Sequence, residues 1–155
     1  MVTLHLAIQV ETAAAIPARA QLRRWVQGTL DEHPGALTEA TFTLRFVDRA
    51  EGRALNSTYR DRDYATNVLT FALDEAGTGR AAADIVVCMP VVEEEARSQR
   101  KTVRDHCAHL VVHGVLHATG HDHETDREAE AMEAVERSVL ARFRIRDPYA
   151  VVDAG

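Results

Sequence analysis

From Val2 to Val10 (VTLHLAIQV) apolar and polar residues alternate, the period-two pattern of a strand with one buried face. Pro17 suits the opening of a helix, and Leu22, Trp25, Val26 and Leu30 then fall on one stripe. That helix should stop near His33, ahead of Pro34 and Gly35. Thr41 to Val47 (TFTLRFV), rich in β-branched and aromatic residues, predicts a second strand. Asp48 with Glu51 three residues on has the form of a capping box, opening a helix through Leu55 towards Tyr59. Asn67 to Leu73 (NVLTFAL) and Asp84 to Met89 (DIVVCM) read as third and fourth strands. The segment between them, DEAGTGRAA, is small, polar and without a hydrophobic anchor, so it should be mobile.

Helices dominate the remainder. Pro90 starts one, with the acidic run Glu93 to Glu95 expected in its first turn, where the helix dipole favours negative charge. A long helix is predicted from about Thr102 to Thr119, with Leu110, Val111 and Leu116 among its apolar residues. Thr125 and Glu128 match a capping box opening a last helix, in which Met132, Val135, Val139, Leu140 and Phe143 recur at helical spacing. No repeat, low-complexity tract or linker interrupts the chain. The expected fold is α+β, a roughly four-stranded mixed sheet with about five packed helices, the helix around His113 central, over one domain spanning residues 1–155.

The chain of 155 residues is long enough for a hydrophobic core without covalent staples. Cys88 and Cys107 form no CxxC pair and sit in apolar segments, so they read as buried thiols in a reducing compartment. No apolar run approaches the ~20 residues of a membrane span, and the N-terminus lacks the basic start of a signal peptide. A cytoplasmic location is expected. The net charge of −6 excludes a globally basic nucleic-acid binder. It does not exclude a local basic surface, because acids and bases balance at eight each from Met1 to Asn67.

Six of the eight histidines fall between His106 and His123. His113 and His117 are four apart, so on a helix both imidazoles leave one face about one turn from each other. Gly120 lets the chain exit through a left-handed turn, which can swing His123 back towards them. Three neutral imidazoles suit a borderline metal such as zinc, one ion per chain, with a fourth position open for catalysis. The spacing matches the HExxHxxGxxH pattern of metzincin peptidases, except that Gly114 stands where the general-base glutamate belongs. His106 and His109 continue the stripe and are expected to hydrogen-bond rather than ligate; His121 and Asp122 lie in the turn, where Asp122 either orients an imidazole or caps the backbone.

A second segment, LNSTYRDRDYATNVLTF from Leu55 to Phe71, packs Arg60 and Arg62 among Asp61, Asp63, Asn56 and Asn67 before entering a strand. Alone it reads as a solvated connection. Beside a metal site, Arg60 is the candidate to grip a phosphate, since a guanidinium can bind two phosphate oxygens at once. That assignment needs Arg60 to lie near the histidines.

Taken together, the two segments resemble the YbeY family of bacterial endoribonucleases and rRNA maturation factors. The resembling residues are Leu55-Asn56, Tyr59-Arg60, TNVLTF from Thr66, DIVVC from Asp84 and Glu94 to Ala96. They continue through HL-VHG-LH-GHDH from His109, Met132-Glu133 and DPY from Asp147. The likeness runs in order over about the last 100 residues, and more weakly over the N-terminal strand and helix. Two positions depart from the family pattern: Ala65 where proline is usual, and His121 where an aromatic is common.

The resemblance implies a zinc-dependent, single-strand-specific endoribonuclease acting in maturation of the small-subunit 16S rRNA 3′ end and in ribosome quality control. By position its zinc ligands are His113, His117 and His123, and the arginine needed for activity is Arg60. Implied partners are single-stranded rRNA, the small-subunit precursor and its assembly proteins. Either water or the RNA 2′-hydroxyl can be the nucleophile on this reading. Two rivals stand beside it. A zinc peptidase is opposed by Gly114. A non-catalytic assembly factor with a structural metal is opposed by a ligand set without cysteine.

Overall fold

The alternation at the start of the chain becomes strand β1 (Thr3–Glu11), with Leu4 buried and its neighbours Thr3 and His5 exposed. A computed structural model describes residues 2–32, 37–73, 79–120 and 124–150. Helix α1 (Arg19–Asp31) opens two residues after Pro17 and buries the expected stripe of Leu22, Trp25, Val26 and Leu30. Strand β2 (Glu39–Val47) buries Phe42, Leu44 and Phe46 on the same side of the sheet as Leu4.

Helix α2 (Arg49–Arg60) starts after Asp48 as predicted, but no capping box forms. The Asp48 carboxylate accepts instead from the Thr12 hydroxyl, and Glu51 takes a two-pronged ion pair from Arg45 on β2. Tertiary partners outbid the local cap. Strand β3 (Val68–Ala72) falls inside its predicted range, while β4 (Arg80–Cys88) begins four residues before Asp84. Parallel pairing with β2 recruits the extra residues from Glu39↔Arg80 onward, and Ala81 and Ala83 are buried under it. Alanine's weak strand preference is overridden by that pairing. The predicted mobile segment therefore loses its last three residues to β4, and residues 74–78 lie outside those described.

Helix α3 (Met89–Ser98) starts directly from β4, so Glu93 to Glu95 lie beyond its first turn rather than in it. Their partners are tertiary. Glu94 pairs with Arg49, and Glu95 accepts from Asn67 and His106. Helix α4 (Val103–Ala118) is capped by the Thr102 hydroxyl, which accepts from the Asp105 N–H at 3.1 Å. Helix α5 (Asp126–Arg142) is capped in the same way by Thr125, accepting from Glu128 N–H at 3.1 Å.

The sheet order is β1-β2-β4-β3, parallel across the first three strands and antiparallel at the β3 edge. The fold is α+β with a mixed four-stranded sheet and five helices among the described residues. One face of the sheet carries α4, whose Val111, Val112, Val115 and Leu116 pack with Phe42, Leu44, Ile85 and Val87, flanked by α1 and α5. Because α4 is covered on most sides, its apolar residues do not form one clean stripe. The other face holds a smaller cluster of Val47, Leu69, Val86 and Cys88 under α2. Cys88 and Cys107 are both free and buried, and burial pushes the Cys107 thiol up to about 12, which keeps it protonated. No helix among the described residues is long and apolar enough to cross a membrane.

Candidate metal centre

One turn of α4 brings His113 and His117 together, with ring centroids 4.6 Å apart and their Nε2 atoms separated by 3.1 Å. Two nitrogens bound to a tetrahedral ion at ~2.0–2.1 Å stand ~3.3–3.4 Å apart, so this pair fits such an ion with little adjustment. Beyond the helix, Gly120 takes a φ of 101°, the left-handed exit expected of it. His121, Asp122 and His123 follow immediately and lie outside the described residues.

What fixes the tautomer of His113 comes from another helix. Glu136 on α5, fully buried, places Oε1 at 2.7 Å from His113 Nδ1. A carboxylate only accepts, so the proton sits on Nδ1 and the Nε2 lone pair faces His117. The second oxygen, Oε2, accepts from His109 Nε2 at 3.0 Å and from the Tyr149 hydroxyl. Burial alone would raise the Glu136 pKa, but the hydrogen bonds from His109, His113 and Tyr149 outweigh it and hold the carboxyl down at about 2. Burial and the adjacent carboxylate together push the Tyr149 phenol upward, so it stays a donor.

Sequence reasoning passed over Glu136. The signal was there, because it sits four residues from both Met132 and Leu140 on the apolar stripe of α5, where an unpaired charge would be costly. His109 lines up behind Glu136, also touching Tyr149 edge-to-face at 5.4 Å. His109, His113 and Glu136 present ligand atoms within 4.8 Å of one another and could hold a metal ion. Against direct ligation by Glu136 stands its buried position, with both oxygens already engaged.

Position 114 faces the sheet. A Cβ on Gly114 would come within 2.9 Å of Ile85 Cγ2 and 3.4 Å of Thr70 Oγ1. The place where a peptidase carries its general base has no room here for a glutamate side chain. This absence is imposed by helix–sheet packing.

Arg60, the last residue of α2, lines the same cleft as His113 and His117. Its Nη2 donates to the Thr70 carbonyl of β3 at 2.7 Å, and its guanidinium lies 5.3 Å from the centre of the Phe71 ring. Asp61 ends the helix in a left-handed conformation, with φ 55°. Buried Asn56 pins the following turn by donating to Tyr64 O at 2.8 Å. Arg60, Val68, Thr70, His113 and His117 line one cleft of about 350 Å³. The two segments read separately from the sequence thus meet across β3. Ala65 packs under α2 in the smaller core, where its methyl suffices.

A family model described as endoribonuclease YbeY matches residues 7–144. The chain belongs to the YbeY family. Among proteins named endoribonuclease YbeY, that of Bordetella pertussis is 54% identical over 151 residues, covering 94% of this chain and 96% of its own length. That of Cupriavidus pinatubonensis is 53% identical over 136 residues, covering 88% of this chain and 65% of the relative, so the chain spans about two thirds of that longer protein. The solution structure of a Thermotoga maritima protein superposes with a TM-score of 0.59 at 26% identity, over 97% of this chain and 98% of the other. YbeY relatives are named for cleavage within RNA chains, which makes phosphodiester hydrolysis the chemistry to be placed on this cleft.

Proposed function

We propose that the chain is a zinc-dependent, single-strand-specific endoribonuclease of one domain, residues 1–155. It would act in 16S rRNA 3′-end maturation and ribosome quality control in the cytoplasm, with the small-subunit precursor and its assembly proteins as partners. The observation that carries this reading is the shared cleft: Arg60, His113 and His117 all line one cavity.

His113, His117 and His123 would hold one zinc ion per chain, and the 3.1 Å approach of the first two Nε2 atoms supports that assignment. When bound there, zinc supplies Lewis acidity to a phosphate oxygen or to water. The rest falls to the protein. Glu136 holds the proton on His113 Nδ1 and fixes the ring's orientation. Arg60, braced through one nitrogen on the Thr70 carbonyl, offers the remainder of its fork to the scissile phosphate and offsets charge that develops on it. Its exposed position at the helix end leaves it open to a chain threading past. The acidic total charge implies weak intrinsic RNA affinity and delivery by a partner.

The test is cleavage of a labelled single-stranded rRNA fragment by metal-quantified protein, comparing wild type, Arg60→Ala and His113→Ala. Arg60→Ala should lose on the order of 10²–10³ in kcat with metal content unchanged. His113→Ala should lose metal and activity together. Equal cleavage by all three would mean a contaminating nuclease and remove the proposal. Product ends then identify the nucleophile: a 2′,3′-cyclic phosphate, or the 3′-phosphate it opens to, with a 5′-hydroxyl is the outcome of 2′-hydroxyl attack, whereas a 5′-phosphate with a 3′-hydroxyl marks water.

A further inference from the structure

Arg60 has a second neighbourhood that phosphate cleavage does not use. On the sheet face away from α4, a groove of about 610 Å³ runs between α2 and strands β3 and β4. Arg60 and Ala72 line both this groove and the histidine cleft, so the two cavities meet at the guanidinium. The groove is walled by aromatic surface. Tyr59 is 63% exposed, its ring 5.3 Å from Phe71 in an edge-on arrangement, and Arg60 lies over the Phe71 ring.

Its polar groups do not form a row of cations. Arg45 is engaged by Glu51 and by Gln9 at 2.9 Å. Asp84, opposite Phe71 in the antiparallel register, is exposed on the same face. A phosphate would be repelled by that carboxylate. A nucleobase would not, because its π-face stacks on aromatic and guanidinium planes and its N–H groups donate to a carboxylate.

We propose that this groove is a nucleobase subsite, in which the base next to the phosphate held at Arg60 stacks on the exposed Tyr59 ring, with Phe71 and Arg60 bounding the groove, and offers its amino edge to Asp84. This rests on the endoribonuclease reading above and adds a specificity element to it. The ligand is a single-stranded nucleotide, since a paired base could not turn its face into the groove. Bases with an exocyclic amino group are favoured over uracil.

The experiment uses metal-loaded protein and single-stranded oligoribonucleotides carrying one 2-aminopurine at successive positions. Fluorescence reports stacking whether or not the strand is cut, and cleavage kinetics are measured alongside. One position should be quenched on binding. Tyr59→Ala should abolish that quenching and raise KM about ten-fold with kcat nearly unchanged, within the range of one stacked base. Tyr59→Phe should restore both, and Asp84→Asn should lower the preference for amino-bearing bases. Cleavage that is indifferent to Tyr59→Ala, or wild-type protein that quenches no position, overturns the subsite and leaves the groove to a protein partner. Quenching that responds to Tyr59 in a strand that is never cut supports the subsite and counts against the nuclease reading alone.

Discussion

Glu136 Oε1 stands 2.7 Å from Nδ1 of His113, and this one contact ties the last helix to the candidate ligand pair on α4. The carboxylate answers three donors at once, from His109, His113 and Tyr149, in a fully buried position. Such an arrangement is costly unless every donor is present, and each is.

The first prediction concerns that carboxylate. Glu136→Gln keeps the volume but offers one acceptor oxygen to three donors, so His113 loses its enforced tautomer. Zinc affinity should fall roughly 10- to 100-fold, with activity recovered in excess zinc and little change in circular dichroism. Competition with a chelating dye gives the affinity. An unchanged value would remove Glu136 from any role at the metal.

Removing metal should silence the enzyme without unfolding it. The core of α4 against the sheet is apolar and owes nothing to His113 or His117. Exhaustive chelation should abolish RNA cleavage while the far-ultraviolet spectrum persists, and zinc should restore activity. A thermal midpoint that rises with added zinc follows from linkage. Collapse of the spectrum on chelation would make the metal structural, as an assembly factor would have it.

Gly114 gives a packing prediction. Gly114→Ala gains up to ~1 kcal/mol in helix propensity. It also drives a methyl to 2.9 Å from Ile85 Cγ2, a branched side chain in the sealed core. Overpacking of this kind costs ~1–3 kcal/mol, so the net effect should be a modest loss of stability in denaturant titration. Gly114→Glu should fail to fold stably, and no peptidase activity should appear. A stabilised Gly114→Ala variant would show that α4 is free to lift from the sheet.

His106 carries the pH dependence. Burial holds its imidazole below the ordinary value against the opposing pull of Glu95. Below pH ~6.5 the unfolded chain takes up a proton that the folded chain resists, so stability is present above that pH and lost as pH falls. The slope is at most ~1.4 kcal/mol per pH unit, until the folded group titrates. Thermal melts between pH 7.5 and 5.5 should show it, and His106→Gln should flatten it. An unaltered slope in that variant would assign the loss elsewhere.

How much of this could be read in advance depends on distance along the chain. The pairing of His113 with His117 is one helical turn, so spacing alone states it. The left-handed exit at Gly120 is equally local. Among the described residues Arg60 and the histidines are joined through β3, which neither periodicity nor composition can place; chemistry suggested the meeting and the fold supplies it. Asp48 looked like half of a capping box because a box is a local motif, and the prediction failed when Thr12 and Arg45 competed for its members. Glu136 went unnoticed because its partners come from α4 and from Tyr149, although a charge on the α5 stripe was a visible hint. His121, Asp122 and His123 lie outside the described residues, so their placement remains an expectation of the sequence.

The dependence of His113 on α5 has a consequence in time. A growing chain that has extended through Ala118 has the residues of the sheet, α4 and the two candidate ligands on it, yet has no Glu136 to settle which nitrogen of His113 faces the cleft. Tyr149, the third donor to that carboxylate, is made later still, 13 residues after Glu136. A site assembled in this order has its imidazole orientation set only once the last helix and the segment through Tyr149 have docked.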